Sequence, residues 1–349
     1  MDVDGRVIGG TPLRTFIIAE LSANHGGSLD NALAIVRAAA DAGADAIKLQ
    51  TYRPDTITID ADTEHFRIAA GSTWAGRSLY SLYEEAQTPW EWHAAIRDEA
   101  IRLGMTWFSS PFDASAIDLL ESLGAPAYKI ASFEIVDVGL IRLVAATGKP
   151  MIISTGMATL AEIEEALAVA SDAGATEIAL LKCTSAYPTP PDEVDLRTIP
   201  NMAATFGVPV GLSDHTMGIA VPVAAVALGA TIVEKHLTLR RADGGPDSSF
   251  SLEPSELAEM VGQIRIAEQA LGGVSYTPTA REAGSRKLRR SLFVVEDVSA
   301  GESFTEANVR SIRPGQGLHT RHLSAVLGRR AAKDVKRGTP LSWDIVAPA

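Results

Sequence analysis

Cysteine is almost absent from this sequence, because among its 349 residues only Cys183 carries a thiol. No disulfide can therefore form within the chain, which favours a reducing compartment. Long apolar runs are absent too, since none reaches the roughly 18–20 residues that a membrane-spanning helix requires. Residues 1–10 lack the basic cluster and apolar core of a secretory signal. We therefore expect a cytoplasmic protein that does not bind a membrane.

Basic residues are fewer than acidic residues in this sequence. The chain has 31 Lys and Arg residues against 43 Asp and Glu residues, which gives a formal net charge of −12. This balance argues against a nucleic-acid partner, because such binding depends mainly on neutralising phosphates. It does not exclude a small anionic substrate, since a local cluster of cations can outweigh the field of the whole molecule.

What the sequence does contain is a repeated alternation of short apolar runs and longer stretches with apolar residues three and four positions apart. This pattern predicts strands that alternate with helices, and hence a parallel sheet. Eight repeats between Phe16 and Gly273 predict a (β/α)8 TIM barrel. A doubly wound open sheet is the alternative, but no glycine-rich dinucleotide turn follows the first run. The runs are FIIAE (16–20), AIKLQ (46–50), TWFSS (106–110), AYKIA (127–131), MIIST (151–155), EIALLKC (177–183), PVGLS (209–213) and TIVEKH (231–236).

The sequence changes character after the eighth repeat. We expect a barrel domain over residues 1–273, a turn-rich linker over 274–288 and a small β-rich domain over 289–349. In the last segment, short β-type runs alternate with Gly, Pro and Asn turns. A domain of this size buries little apolar surface by itself, so we expect it to be stabilised against a partner surface.

Polar residues end most of the eight runs, where a barrel of this type has its active site. Charged residues inside apolar strands are costly unless they are paired or used. Lys48, Lys129 and Lys182 stand at positions that can face inward. Together with nearby hydroxyls they suit a small anion that carries both phosphate and carboxylate. The alternative is that each lysine forms a structural ion pair. The hydroxyls belong to Ser132, Ser154, Ser185 and Ser213.

Two histidines and two glutamates complete the set of candidates. His215 and His236 end runs seven and eight, so they can form a metal-binding pair, although a single His is more often a core or surface group. Water and substrate would complete the coordination shell, which is typical of a catalytic metal. Glu20 and Glu134 end runs one and four, where they can act as general acid or base or pair with a lysine.

The strand ends lie within a series of motifs, namely AELSANHGGS, DAIKLQTY, FSSPFD, AYKIASFE, IISTGMA, LLKCTSAYP, VGLSDHT, VEKHLTL and GGPDSSFSL. Together and in order, they resemble the sialic acid synthase family. The segments RSIRPGQGL and GRRAAKDVKRGTPL resemble the SAF (antifreeze-like) domain that these synthases carry. The resemblance implies a metal-dependent transferase. It joins C3 of phosphoenolpyruvate to the C1 aldehyde of an open-chain N-acetylated sugar and releases inorganic phosphate.

The resemblance also implies a role for each candidate residue. His215 and His236 would hold Mn²⁺ or Mg²⁺, with the aldehyde oxygen in an open coordination position. Glu134 would move a proton during water addition at C2 or departure of phosphate, and Glu20 and Lys129 complete the catalytic set. Because the family is described as a domain-swapped homodimer, Arg313 of the partner subunit would reach the acetamido group. The implied substrate-binding residues are Lys48, Ser110, Ser132, Ser154, Ser185, Tyr187, Ser213, Asp247 and Arg313.

Within the family, three segments resemble the pseudaminic acid synthases, namely ELSANH (20–25), residues 71–93 and GGPDSSFS (244–251). This subgroup uses a 2,4-diacetamido-2,4,6-trideoxy hexose of the altrose type and makes a nine-carbon nonulosonic acid. The first alternative is an N-acetylneuraminate or legionaminate synthase, which would use N-acetylmannosamine or its 2,4-diacetamido-6-deoxy analogue. A metal-dependent barrel hydrolase would usually carry His-x-His in the first strand, and this chain does not. An ice- or carbohydrate-binding protein would not need a charged barrel mouth.

Overall fold

A computed structural model describes residues 1–10, 13–69 and 74–348. The chain divides into two compact units, Met1–Gly272 and Gly273–Ala349, so the division falls at the start of the predicted linker. Residues 71–73 of the segment 71–93, and residue 349 at the end of the predicted second domain, lie outside the described residues.

The first unit is a closed barrel of eight parallel strands, which confirms the predicted TIM barrel. A short antiparallel hairpin precedes it, made of β1 (Asp2–Val3) and β2 (Arg6–Val7). The barrel strands neighbour one another in chain order, and the last closes against the first. They are β3 (Phe16–Glu20), β4 (Ala46–Thr51), β5 (Thr106–Pro111), β6 (Tyr128–Ile130), β7 (Met151–Ser154), β8 (Ile178–Cys183), β9 (Val210–Asp214) and β10 (Ile232–His236).

Helices lie between the strands, and several of them begin at a capping side chain that can be identified in the sequence. Before the helix α7 (Leu160–Asp172), the side chain of Thr159 accepts a hydrogen bond from the Glu162 backbone amide, and the Glu162 carboxylate accepts one from the Thr159 amide. None of the helices within the described residues is long and apolar enough to cross a membrane. The helices of this unit are α1 (Leu29–Asp41), α2 (Pro54–Ile57), α3 (Leu79–Ala86), α4 (His93–Arg102), α5 (Ala114–Ser122), α6 (Val138–Ala145), α7 (Leu160–Asp172), α8 (Thr198–Phe206), α9 (Ala220–Ala227) and α10 (Pro254–Leu271).

The barrel interior changes from apolar to polar or charged along several of the strands. Side chains two residues apart share a face of a strand. In β3, Phe16 and Ile18 belong to the apolar cluster inside the barrel, and Glu20 follows them at the carboxyl end. In β10, Ile232 belongs to the same cluster and is followed by Glu234 and His236. The apolar cluster holds the amino end of the barrel together, and the polar side chains gather at its mouth, the opening at the carboxyl ends of the strands.

At the amino end of the barrel, one buried carboxylate joins several elements. Asp45 lies just before β4 and accepts hydrogen bonds from Arg6 at 2.9 Å, Arg14 at 3.0 Å and Arg265 at 3.1 Å. It also accepts one from the backbone amide of Ile17 at 2.9 Å. The hairpin, β3 and α10 are therefore tied to the start of β4 through a single side chain.

The second unit is small and rich in turns. Strands β11 (Ser291–Val294) and β12 (Val309–Ile312) pair antiparallel, and the helices are α11 (Ala280–Ser285) and α12 (Leu323–Val326). Its core contains Leu292, Phe304, Val326 and Leu341 among other residues. The segment that precedes α11 is exposed, with Val274 at 94% and Tyr276 at 98% of their full accessibility.

Candidate active site

Three buried charged side chains meet at the carboxyl ends of β3, β4 and β10. The Lys48 ammonium forms an ion pair with Glu20 and lies 3.9 Å from the nearer Glu234 oxygen. Strand pairing explains the proximity, because Glu20 stands beside Lys48 on one side and His236 on the other. Burial raises the pKa of Glu20 above its ordinary value despite Lys48. Burial also acts to raise the pKa of Glu234, but Lys48 and Lys129 hold it below its ordinary value.

A second lysine is buried beside this cluster without an ion pair. Lys129, in β6, donates a hydrogen bond to the carbonyl of Ile130 at 2.8 Å. Within the described residues no salt bridge of 4.0 Å or less involves its ammonium. Burial lowers the pKa of Lys129, although Glu234 opposes the shift. A buried cation in this state is ready to receive an anionic ligand.

Glu134 follows β6 and has the properties of a general acid or base. One of its carboxylate oxygens, Oε2, is buried and has no hydrogen-bond partner among the described residues. Burial raises the pKa of Glu134 to about 7, although Lys129 acts to lower it. A carboxyl group with this pKa is partly protonated near neutral pH, which suits proton transfer.

Three of the candidate hydroxyls stand at or just after the carboxyl ends of β6, β7 and β8. Ser132 and Ser185 share a hydrogen bond with their Oγ atoms 2.8 Å apart. Both lie against Gly156, where a side-chain Cβ would come within 2.5 Å of Ser132, so only glycine fits. The φ of +48° at Gly156 also favours glycine. The hydroxyl of Ser154 is buried and lacks a partner among the described residues, a state that is costly unless a ligand pairs with it.

The remaining two candidate serines contact the charged cluster. Ser110 Oγ lies 3.4 Å from the Lys48 ammonium. Ser213 donates a hydrogen bond to Glu234 at 3.0 Å. Two of the five barrel serines proposed from the sequence therefore contact the charged cluster. The other three, Ser132, Ser154 and Ser185, stand at or just after the carboxyl ends of β6, β7 and β8.

The two histidines lie side by side, with ring centroids 5.4 Å apart. Nδ1 of His215 is 3.1 Å from the Thr184 carbonyl, which fixes a proton on that nitrogen and leaves Nε2 as a potential ligand. Nδ1 of His236 is buried without a partner among the described residues. Burial, with further contributions from the neighbouring His215 and Lys48 side chains, keeps the pKa of His236 well below its ordinary value. Neutral imidazole is the form that binds metal ions.

A network of hydrogen bonds joins Glu20 to the loop after β10. The same Glu20 oxygen accepts hydrogen bonds from the Ser22 amide at 3.1 Å and from Gln50 at 3.2 Å. The hydroxyl of Ser22 donates to Asp247. Ser22 has a φ of +47°, a strained conformation for a residue with a side chain. Such strain persists where the surrounding contacts hold the backbone, often at functional sites.

Aromatic rings line the histidine side of the mouth. The ring of Tyr187 lies 4.4 Å from His215, 5.2 Å from Phe250 and 5.6 Å from Trp74. The indole N–H of Trp74 donates to the Pro246 carbonyl at 2.8 Å. Tyr187 and Asp247, both expected from the sequence, therefore lie close to the histidine pair and to Ser22.

One lysine does not join the site. The sequence predicted that Lys182 could face the barrel interior. In the register of β8 against β9, however, Leu181 and Cys183 stand beside Gly211 and Ser213, whose side of the strand faces inward. Lys182 therefore projects from the outer face of β8, is half-buried and donates to the Cys183 carbonyl. Lys235 and Asp214 also lie outward, and they pair with each other at 2.5 Å in a fully buried structural contact.

Several residues near the site were not assigned a role from the sequence. Glu234 stands two residues before His236, so strand periodicity alone places it on the same face. Gln50 follows Lys48 by the same spacing. Ser22 and Trp74 had no comparable signal, because their partners Asp247 and Pro246 are distant in the sequence.

Arg313 belongs to the second unit and is exposed in the turn after β12. It lines a surface groove of about 680 Å³ together with Arg289, Arg290 and His319. The barrel candidates are thus brought together in one unit, and Arg313 lies in the other.

Comparison with known proteins places the chain among relatives that have this architecture. A family model of the NeuB family matches residues 35–276, and one of the SAF domain matches residues 289–347, which confirms the expected class of the second domain. A pseudaminic acid synthase from Campylobacter jejuni is 45% identical over 331 residues, which cover 95% of this chain and 96% of the relative. An N,N'-diacetyllegionaminic acid synthase from the same organism is 37% identical over 327 residues, covering 93% and 97%. The crystal structure of an N-acetylneuraminic acid synthetase from Leptospira borgpetersenii aligns with a TM-score of 0.73 at 31% identity, over 82% of this chain and 94% of that one.

Proposed function

The chain belongs to the NeuB family, and we propose that within this family it acts as a pseudaminic acid synthase. In the proposed reaction, a bond forms between C3 of phosphoenolpyruvate and C1 of the sugar aldehyde, whose oxygen takes up a proton. Water adds at C2, phosphate leaves from C2, and a nine-carbon keto acid remains. The observation that carries this proposal is the set of buried lysines and hydroxyls beside a histidine pair at one end of a barrel.

We propose that phosphoenolpyruvate binds between Lys48 and Lys129, with the serine hydroxyls donating to its oxygens. Lys129 has no ion pair within the described part of the chain, so an anion can pair with its ammonium without displacing a carboxylate. Lys48 is paired with Glu20, so an incoming carboxylate or phosphate would compete with that carboxylate. The displaced Glu20 would then be free to accept a hydrogen bond from the sugar.

The two imidazoles fit a divalent metal ion, and we propose Mn²⁺ or Mg²⁺. The unpartnered Nδ1 of His236 and the position of His215 support this proposal. Among the described residues no third His, Cys, Asp or Glu joins a metal-binding group, so water and substrate would supply the other ligands. When bound, the ion would act as a Lewis acid on the aldehyde oxygen. The test is metal content per chain, which His236→Ala should reduce; unchanged content would contradict the assignment.

Glu134 is the residue that we propose for proton transfer. Its carboxyl group can accept the proton of the water that adds at C2, and it can return a proton to the departing phosphate. Its pKa of about 7 places both forms within reach at neutral pH.

We also propose a homodimer in the cytoplasm. Apolar side chains on the loops after β6 and β7 are exposed at the barrel mouth, with Phe133 at 59% and Met157 at 58% of full accessibility. Val274 and Tyr276 in the second unit are exposed almost completely. Large apolar side chains with this degree of exposure would lose contact with water if a partner covered them. A second copy of this chain would supply that cover. Its second unit, here called the SAF unit because it matches the SAF domain, would contribute Arg313 of the partner subunit.

The sugar is the most specific part of the proposal. The 2,4-diacetamido-2,4,6-trideoxy altrose should give the highest kcat/KM when a panel of sugars is incubated with phosphoenolpyruvate. Phosphate release gives the rate, and mass spectrometry identifies the nine-carbon product. A higher kcat/KM for N-acetylmannosamine or the legionaminate precursor would favour the corresponding alternative in the same family.

A further inference from the structure

A row of aromatic rings extends from the histidine pair into the long insertion between β4 and α4. The insertion covers residues 52–92 and contributes Trp74. Along the row, the ring of His215 lies 5.4 Å from His236 and 4.4 Å from Tyr187, which lies 5.6 Å from Trp74. Trp74 is therefore the far end of a surface that begins where the aldehyde of the sugar is expected.

The polar atom of Trp74 is already engaged. Its indole N–H donates to the Pro246 carbonyl at 2.8 Å, next to Asp247. This bond fixes the orientation of the indole and leaves its carbon surface as the part that a ligand can contact. Trp74 is half-buried, so some of that carbon surface is accessible.

We propose that Trp74, together with Tyr187, forms the apolar surface on which the C6 methyl group of a 6-deoxy sugar packs, and that this contact selects the 6-deoxy sugar over its 6-hydroxy counterpart. This inference rests on the proposed function. A six-carbon chain that is held by its aldehyde at the histidine pair carries C6 at its far end, which the row of rings would guide towards Trp74.

The physical basis is the difference between a methyl and a hydroxymethyl group on an aromatic surface. The methyl group gains by leaving water for a carbon surface. The hydroxyl group loses hydrogen bonds to water there, and the indole N–H cannot replace them because Pro246 already accepts it. Apolar pockets discriminate single groups of this size by about tenfold to a hundredfold in kcat/KM.

The experiment compares two sugars that differ only at C6, 2,4-diacetamido-2,4,6-trideoxy altrose and its 6-hydroxy analogue. The rate of phosphate release from phosphoenolpyruvate gives kcat/KM for each sugar. Wild-type protein should prefer the 6-deoxy sugar by at least about tenfold. Trp74→Gln, which offers a polar surface, should bring the ratio to about threefold or less, whereas Trp74→Leu should keep most of the preference. The KM for phosphoenolpyruvate should stay within about twofold in both variants.

A matched control is available in the same insertion. The indole N–H of Trp90 also donates to a backbone carbonyl, that of Tyr52, at 3.1 Å. Trp90→Gln therefore removes a comparable bond and ring outside the row, and it should leave the preference unchanged. A preference that survives Trp74→Gln, or that is absent in the wild type, overturns the inference. If wild-type protein releases no phosphate with either sugar, the proposed function itself fails, and the two failures are thus distinguishable.

Discussion

Among single residues, Glu134 has the environment that best matches a proton-transfer role. Glu134→Gln keeps the shape of the side chain and removes the titratable group, so kcat should fall by roughly 10²–10⁴ with little change in substrate binding. In the wild type, the carboxyl group is protonated below its pKa of about 7 and ionised above it. If the ionised form accepts the proton of water, kcat should rise with pH through about 7.

The pH profile provides the check. That limb near pH 7 should be absent in Glu134→Gln. A limb that falls with rising pH would assign the protonated form, and hence the general acid, to Glu134. A loss of less than about tenfold, with the limb retained, would contradict the role and make Glu20 the next candidate.

Lys129 allows a test of anion binding with a control of the same residue type. Its buried ammonium has no ion pair within the described residues, so its removal should mainly affect phosphoenolpyruvate. A charge-assisted contact contributes about 1.5–3 kcal/mol. Lys129→Ala should therefore raise the KM for phosphoenolpyruvate by about tenfold or more, and the KM for the sugar by much less.

Lys182 is the control, because it projects from the outer face of β8, away from the barrel interior. Lys182→Ala should change the KM for phosphoenolpyruvate by about twofold at most. Equal effects of the two substitutions would mean that Lys129 acts through general electrostatics or stability.

At the scale of elements, Asp45 links the N-terminal hairpin, β3 and α10 at the amino end of the barrel. Asp45→Ala would remove the acceptor of the Ile17 amide and one acceptor from each of three guanidinium groups. Arg6 would keep its bond to the Gly104 carbonyl, and Arg265 would keep its pair with Glu268. Loss of one partner from a buried ionic cluster is strongly destabilising, but Arg14 is 63% exposed and can be solvated. We expect a loss of about 2–4 kcal/mol in the free energy of unfolding.

Chemical denaturation measures this change. Asp98→Ala is the matched control, because Asp98 pairs with Arg97 at 2.7 Å while its side chain is 66% exposed. An exposed pair contributes at most about 1 kcal/mol. A similar loss in both variants would show that the Asp45 cluster contributes no more than a surface ion pair.

The elements also show which parts of the fold can be predicted from sequence. All eight barrel strands were predicted because a strand that is covered on both faces remains apolar along its length. It was harder to predict which lysine side chains point into the barrel and which point outward. Lys182 interrupts an apolar run as Lys48 and Lys129 do, and only the register of β8 against β9 shows that it lies on the outer face.

The site shows the same division. Residues at strand ends were predicted, since parallel strands in a barrel bring their carboxyl ends together. Glu234 could also have been predicted, because it stands two residues before His236 on the same face of β10. Trp74 was not, because its position depends on how the insertion 52–92 packs against the loop after β10, and no periodic pattern encodes that contact.

For the whole molecule, the proposal is that two chains build each active site. The SAF unit holds Arg313 in an exposed turn, on a groove that it shares with Arg289 and Arg290. A guanidinium group can donate to an amide carbonyl in a fixed direction, which suits recognition of an acetamido group. If Arg313 of the partner subunit completes the barrel, then a chain with Arg313→Ala still offers an intact barrel, and a chain with His236→Ala still offers an intact arginine.

Mixing two inactive homodimers tests this arrangement. Arg313→Ala and His236→Ala should each be nearly inactive alone. After subunit exchange, one of the two sites in each heterodimer receives an intact barrel from the first chain and an intact arginine from the second. Activity should therefore return, to about half of the wild-type value per heterodimer at most. If Arg313 instead reached the barrel of its own chain, each site of the heterodimer would carry one defect, and mixing would restore nothing. Native mass spectrometry establishes that exchange has occurred, so absence of rescue in confirmed heterodimers would refute the swapped arrangement.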